Sequence, residues 1–139
     1  MYHILINPAS RSGRGHKIWK EQVEPALRRG NIPYRPYFSA KPGDVTRLAE
    51  EIARSADTLP IHLIVLGGDG TMNEVLQGLP DTSRAILGYI PTGSSNDLAR
   101  ALHIPTDPTK ALDWFLHTGC PPSLDMGTVT YPDGSVRHF

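Results

Sequence analysis

The 139-residue sequence contains one cysteine, Cys120, so it holds no internal disulfide framework and no cysteine-rich zinc site. It has no excess charge of either sign. Fourteen Lys+Arg balance fourteen Asp+Glu, which argues against a broad phosphate-neutralising face and against nucleic acid as a partner. Long hydrophobic runs are also missing: the longest, Leu63 to Leu66, falls far short of the ~20 apolar residues a membrane helix needs. No basic segment precedes a long apolar stretch near the N-terminus, so no secretory signal is read there. A lone cysteine without an export signal predicts a reducing, cytoplasmic setting. The six histidines include no His-x-x-x-His pair, and no zinc is expected. A G-x-S-x-G nucleophile elbow is absent as well. What the sequence does have is 13 glycines and 13 prolines clustered at turns, in a length that suits one domain.

Between those turns, short apolar runs alternate with helical periodicity. Tyr2–Ile6 reads as a buried strand ended by Asn7-Pro8. His16–Arg29 carries Ile18, Trp19, Val23, Ala26 and Leu27 at helical spacing, with Gly30 as the stop. Tyr34–Phe38 has the aromatic enrichment of a strand. Asp44 is the expected N-cap of a helix with Val45, Leu48, Ala49 and Ile52 on one face. Ile61–Leu66 and Ala85–Ile90 read as strands, and Thr71–Gln77 and Asn96–Leu102 as helices. Thr106–Leu116 reads as a further helix capped by Asp107, with Pro108 at its first position. His3, His62 and His103 are expected in or beside core elements. This alternation predicts an α/β fold: a parallel sheet with helices on its faces and ligands outside the carboxyl ends of the strands. After Gly119 the pattern changes. Cys120-Pro121-Pro122 resembles a linker, Ser123–Tyr131 alternates like a new strand, and Pro132-Asp133-Gly134 signals a hairpin. The expected division is therefore an α/β domain over 1–120 and the start of a β-rich unit over 121–139.

Three loops at carboxyl strand ends could carry chemistry. Gly67-Gly68-Asp69-Gly70-Thr71 follows a buried strand and opens a helix. Its glycines permit close backbone approach, and amides at a helix start favour an anion such as phosphate. Asp69 within such a loop suits an opposing cation or hydroxyl, as in a magnesium–nucleotide complex. The alternative is a tight turn in which Asp69 or Thr71 only caps the helix. Pro91-Thr92-Gly93-Ser94-Ser95-Asn96-Asp97 offers hydroxyls and amides, or else merely caps its helix through Ser95 or Asn96. Asn7 to Gly15, with serines, glycines and two arginines, makes a further anion-binding nest or a solvated loop.

Taken together, Asn7-Pro8 with its Gly-rich continuation, Gly67 through Val75 (GGDGTMNEV) and Pro91 through Arg100 (PTGSSNDLAR) resemble the diacylglycerol kinase catalytic-domain family, relatives of sphingosine and ceramide kinases. The GGDGT loop alone is shared with NAD kinases. The Asn73-Glu74-Val75 extension and Asn96-Asp97-Leu98-Ala99-Arg100 tilt the match toward lipid kinases. The resemblance runs from about Tyr2 to Leu124. It implies a Rossmann-like nucleotide-binding domain and ATP-dependent phosphoryl transfer to a lipid hydroxyl such as diacylglycerol, with Mg2+ required. Family nucleotide contacts map onto Asn7, Ser10, Ser39, Gly67, Gly68, Asp69, Gly70, Thr71, Asn73, Glu74 and Ser94. Ser39 and Ser94 stand where the family usually has threonine, and both keep the hydroxyl. Asp69 is the implied catalytic carboxylate and magnesium-associated residue.

Family members are longer and carry further magnesium-associated carboxylates and the candidate base in a β-rich C-terminal domain. The expectation is thus an ATP-binding half that is inactive alone, from a protein touching the inner membrane face peripherally. An NAD kinase-like enzyme and a non-catalytic nucleotide-binding regulatory module remain the alternatives. The oligomeric state, a dimer included, is left open.

Overall fold

The computed structural model describes residues 1–41, 43–56, 60–80, 84–93, 96–117, 128–130 and 136–138. Its centre is a four-stranded sheet of β1 (Tyr2–Ile6), β2 (Tyr34–Phe38), β3 (Ile61–Gly67) and β4 (Ala85–Pro91). The order is β2-β1-β3-β4 and every pairing is parallel. β1 and β3 are buried almost throughout, with Ile4, Leu5, Ile6, Leu63, Ile64, Val65 and Leu66 fully enclosed. A parallel strand covered on both faces must be apolar on both, which is why these segments read as continuous runs.

The helices are α1 (Ser10–Ile18), α2 (Glu24–Arg29), α3 (Asp44–Ser55), α4 (Asp69–Gly78), α5 (Asp97–Ala101) and α6 (Pro108–His117). β1 steps to β2 in one direction, while β2 to β3 and β3 to β4 step the other way. Right-handed crossovers then place α1 and α2 on one face and α3 and α4 on the other. α3 lies against α4, and Gly78 lets them approach so closely that a β-carbon there would meet the Thr46 carbonyl. α6 covers β4 and touches the segment between α1 and α2, so it shares their face. That segment, Trp19–Val23, is π-helical and buries Trp19 and Val23. The Glu24 amide reaches back to the Trp19 carbonyl, and the next residue is Pro25, which has no amide to donate. The wide turn accommodates the proline without breaking the helical path.

Three expectations and one alternative reading are corrected. The first helix begins at Ser10 and not His16. Its first turn is irregular, with left-handed Ser12 and Gly13, so the glycines and serines that read as a loop lie within the element. Asp44 is the first residue of α3 and not its N-cap: Gly43 holds that place at φ 89°, and the Asp44 carboxylate turns back to accept the Ala40 and Lys41 amides at 2.8 and 3.1 Å. Gly68 occupies the N-cap position of α4, so neither Asp69 nor Thr71 caps it. His103 is exposed with φ 57°, where the chain turns out of α5. Asp107, by contrast, accepts the Lys110 amide at 3.1 Å, as a residue capping α6 should.

β5 (Thr128–Thr130) and β6 (Val136–His138) form a separate antiparallel pair. The linker Cys120-Pro121-Pro122 and the turn Pro132-Asp133-Gly134 lie outside the described residues, as does most of the strand expected over Ser123–Tyr131. No helix among the described residues is long and apolar enough to cross a membrane.

Candidate active site

The sheet order fixes where a ligand can sit. β1 lies between β2 and β3, and the chain leaves β1 toward one face and β3 toward the other. Such a switch point opens a crevice at the carboxyl ends, between the loops after the two strands. Asn7 follows β1, Gly67 ends β3 with Gly68 next, and the Asn7 amide donates to the Leu66 carbonyl at 2.9 Å.

Asn7 organises the first loop. Its Oδ1 accepts the Ala9 amide at 3.3 Å, an Asx turn that Pro8 between them favours. The same oxygen accepts the hydroxyl of the buried Ser39 at 3.5 Å, drawing in the residue that follows β2. Its Nδ2 donates to Thr71 Oγ1 at 3.1 Å, across to the start of α4. Gly15 completes the arrangement: a β-carbon there would strike the Asn7 carbonyl and lie 2.6 Å from Ser10 Oγ. Gly67 likewise has no room for a side chain beside Thr71, whose β-carbon would be 2.6 Å away.

The start of the third loop joins the other two through three contacts. The hydroxyls of Ser10 and Thr92 hydrogen-bond at 2.6 Å. The Thr92 amide donates to the Gly67 carbonyl at 2.9 Å. Gly93 sits on Gly68, close enough that a β-carbon on Gly93 would lie 2.7 Å from the Gly68 α-carbon. Asn7, Ser10, Ser39, Gly67, Gly68, Asp69, Gly70 and Thr71 therefore share one rim. Ser94 lies outside the described residues, although Gly93 before it is at the centre. Asn73 and Glu74 are one turn further along α4. Asn73 accepts from Gln77 Nε2 at 3.4 Å, and the Glu74 carbonyl accepts the Thr46 hydroxyl at 3.0 Å, so both are engaged within the α3–α4 layer.

Asp69 has partners on both oxygens. Oδ1 accepts the Tyr89 hydroxyl at 2.9 Å, and Oδ2 accepts the Asp97 backbone amide at 2.7 Å. Burial of Tyr89 and, next, its bond to Asp69 push the phenol well above the usual tyrosine pKa, so it remains a donor at any physiological pH. Tyr89 was missed by sequence reasoning, because in β4 it reads as one more strand residue. Asn96 is at φ 53°, and its Oδ1 is buried without a hydrogen-bond partner among the described residues. The Asp97 side chain points outward to Arg100 at 3.8 Å and caps nothing.

Comparison with known proteins identifies the family. Residues 1–129 match the model of the diacylglycerol kinase catalytic domain. The chain is 39% identical over 130 residues to a diacylglycerol kinase of Staphylococcus saprophyticus, covering 91% of this chain and 40% of the relative. It is 37% identical over 130 residues to one of Staphylococcus aureus, covering 91% of this chain and 39% of the relative. A solved diacylglycerol kinase structure from Bacillus anthracis superposes with a TM-score of 0.65 at 32% identity, covering 79% of this chain and 37% of that one. The chain thus spans 40% or less of the length of these relatives. With its rim of three glycine- and hydroxyl-bearing loops at the switch point of a parallel sheet, it belongs to the diacylglycerol kinase catalytic-domain family.

Proposed function

We propose that this chain is the ATP-binding half of a lipid kinase that transfers the γ-phosphoryl group to a lipid hydroxyl such as that of diacylglycerol. Residues 1–120 form the nucleotide domain and 121–139 begin a β-rich domain, and the chain is inactive by itself. The observation that carries this reading is the joining of three separate loops at one crevice, by Asn7–Thr71, Ser10–Thr92 and Gly68–Gly93.

The donor set fits a nucleotide with magnesium. Gly67, Gly68 and Gly70 bring backbone to the crevice without side-chain bulk, which suits a triphosphate. Asn7, Ser10, Ser39, Thr71 and Ser94 would supply neutral donors around it, and Asn73 and Glu74 would contact it from the next turn of α4. The unpartnered Asn96 Oδ1 suits a ligand hydroxyl or a bound water. Among the described residues no group of three or more His, Cys, Asp or Glu side chains gathers as a metal cage. Magnesium needs none, since it takes one or two carboxylates, phosphate oxygens and waters. Asp69 supports such a site, because a carboxylate has about four lone-pair positions and its two hydrogen bonds leave some free. Bound magnesium would neutralise charge developing on the transferred group. The chain's own residues position the phosphates, while Asp69 orients the metal or the acceptor hydroxyl.

The decisive assay supplies the full-length protein with ATP, magnesium and, separately, diacylglycerol or NAD. Phosphatidic acid from the first acceptor supports the proposal. Transfer to NAD alone replaces it with a ribose-directed kinase. ATP binding without transfer to either leaves a regulatory module. The 139-residue chain alone should bind ATP and transfer nothing.

A further inference from the structure

Tyr89 is a large polar side chain enclosed in β4, with only 4% of its surface exposed. A buried phenol must place its hydroxyl, and this one donates to Asp69 Oδ1 at 2.9 Å. The other oxygen of the same carboxylate accepts the Asp97 amide at 2.7 Å. A single carboxylate is thus held between an enclosed strand residue and the backbone of the third loop. Without the hydroxyl, Asp69 has a free oxygen and rotates about its side-chain bonds. Its grip on Asp97, and with it the spacing of the second and third loops, then loosens. Phenylalanine at position 89 would fill nearly the same enclosed volume and give Asp69 no donor, so packing alone does not call for the tyrosine hydroxyl here.

We infer that Tyr89 is a positioning residue: it fixes the Asp69 carboxylate so that this group both faces the crevice and fastens the third loop. The catalytic consequence rests on the kinase reading above, whereas the fastening of the loop does not. Hydrogen bonds from a neutral donor to a charged group are among the stronger ones in proteins, so removal should be readily measured.

The test uses the full-length protein with Tyr89→Phe, Asp69→Ala and the double variant. The first readout is hydrogen exchange at the Asp97 amide, which is independent of turnover. Tyr89→Phe should speed it about tenfold, and in the Asp69→Ala background the same change should add nothing, because the route through Asp69 is already gone. The second readout is turnover with ATP: kcat should fall about tenfold while KM for ATP moves less than threefold, with the melting temperature little altered. Unchanged exchange at Asp97 in Tyr89→Phe, or equal and additive effects in both backgrounds, would overturn the inference. So would a loss of kcat explained by a matching loss of folded protein. If the wild-type protein transfers phosphate to no lipid, the proposed function falls, and the exchange cycle still decides whether Tyr89 holds Asp69.

Discussion

Two of the seams that hold the crevice together are built differently. The seam between the first and second loops consists of neutral groups: the Asn7 carboxamide, the Thr71 and Ser39 hydroxyls, and the Ala9 amide. The seam between the second and third loops combines a carboxylate with two donors, the Thr92 amide on the Gly67 carbonyl, and a bare backbone contact, Gly68 on Gly93. A neutral carboxamide can donate and accept at once, so one residue ties three elements. A carboxylate only accepts, so its partners must be donors fixed by other elements, and glycine must give up side-chain volume to let the backbones meet. The first seam therefore sets shape, while the second combines shape with charge at the place where phosphate chemistry is proposed.

Substitutions can separate the two. The largest effect is expected from Asp69→Asn in the full-length protein, where lipid phosphorylation should fall at least about 100-fold, read as initial rate with saturating ATP. Unchanged turnover would remove charge from the second seam's role. Gly93→Ala comes next: its methyl group would press on the Gly68 backbone, costing about 2 kcal/mol and about 30-fold in ATP affinity by direct titration. Asn7→Ala attacks the first seam and should cost about 1–2 kcal/mol of stability in denaturant unfolding, with Ser39 and Thr71 each losing a partner.

A pH experiment reaches the loop beside that first seam. The Ala40 amide, followed by the Lys41 amide and the Arg47 charge, holds Asp44 below its ordinary value of 3.8. A depressed carboxyl pKa stabilises the fold above the unfolded value, and that contribution is lost as pH falls through the folded one. Asp44→Asn should therefore be less stable than wild type at neutral pH, with the gap closing as the pH drops below 3.8 in thermal melts. The smallest effect belongs to Arg100→Ala. Its pairing with Asp97 is exposed on both sides, and stability should change by less than about 0.5 kcal/mol.

Much of the scaffold is legible in the sequence. Tyr2–Ile6 appears as a strand with the expected bounds because a strand covered on both faces reads as a nearly continuous apolar run, and Tyr34–Phe38, a half-exposed edge strand, is marked instead by its aromatic residues. Asp107 and Pro108 announced α6 through local chemistry that involves only neighbours in sequence. The start of α1 was hidden, since Gly15 is there to let the helix graze the Asn7 carbonyl, and a glycine chosen for contact looks like one chosen for a turn. Tyr89 was hidden for a related reason. Its partner lies 20 residues away at the head of another element, and no periodicity marks which strand residue will reach out of the sheet.

Pro36 sits in the middle of β2, the outermost strand on one side of the sheet, opposite Ile4. A ring nitrogen there carries no hydrogen to offer a newcomer, so a strand from another molecule finds a broken ladder along that border. The sheet is protected on this flank from growing by edge-to-edge addition, and a lengthening stack of such molecules would have to begin elsewhere. Replacing Pro36 would give the flank a continuous row of donors and acceptors, and with it an opening for aggregation.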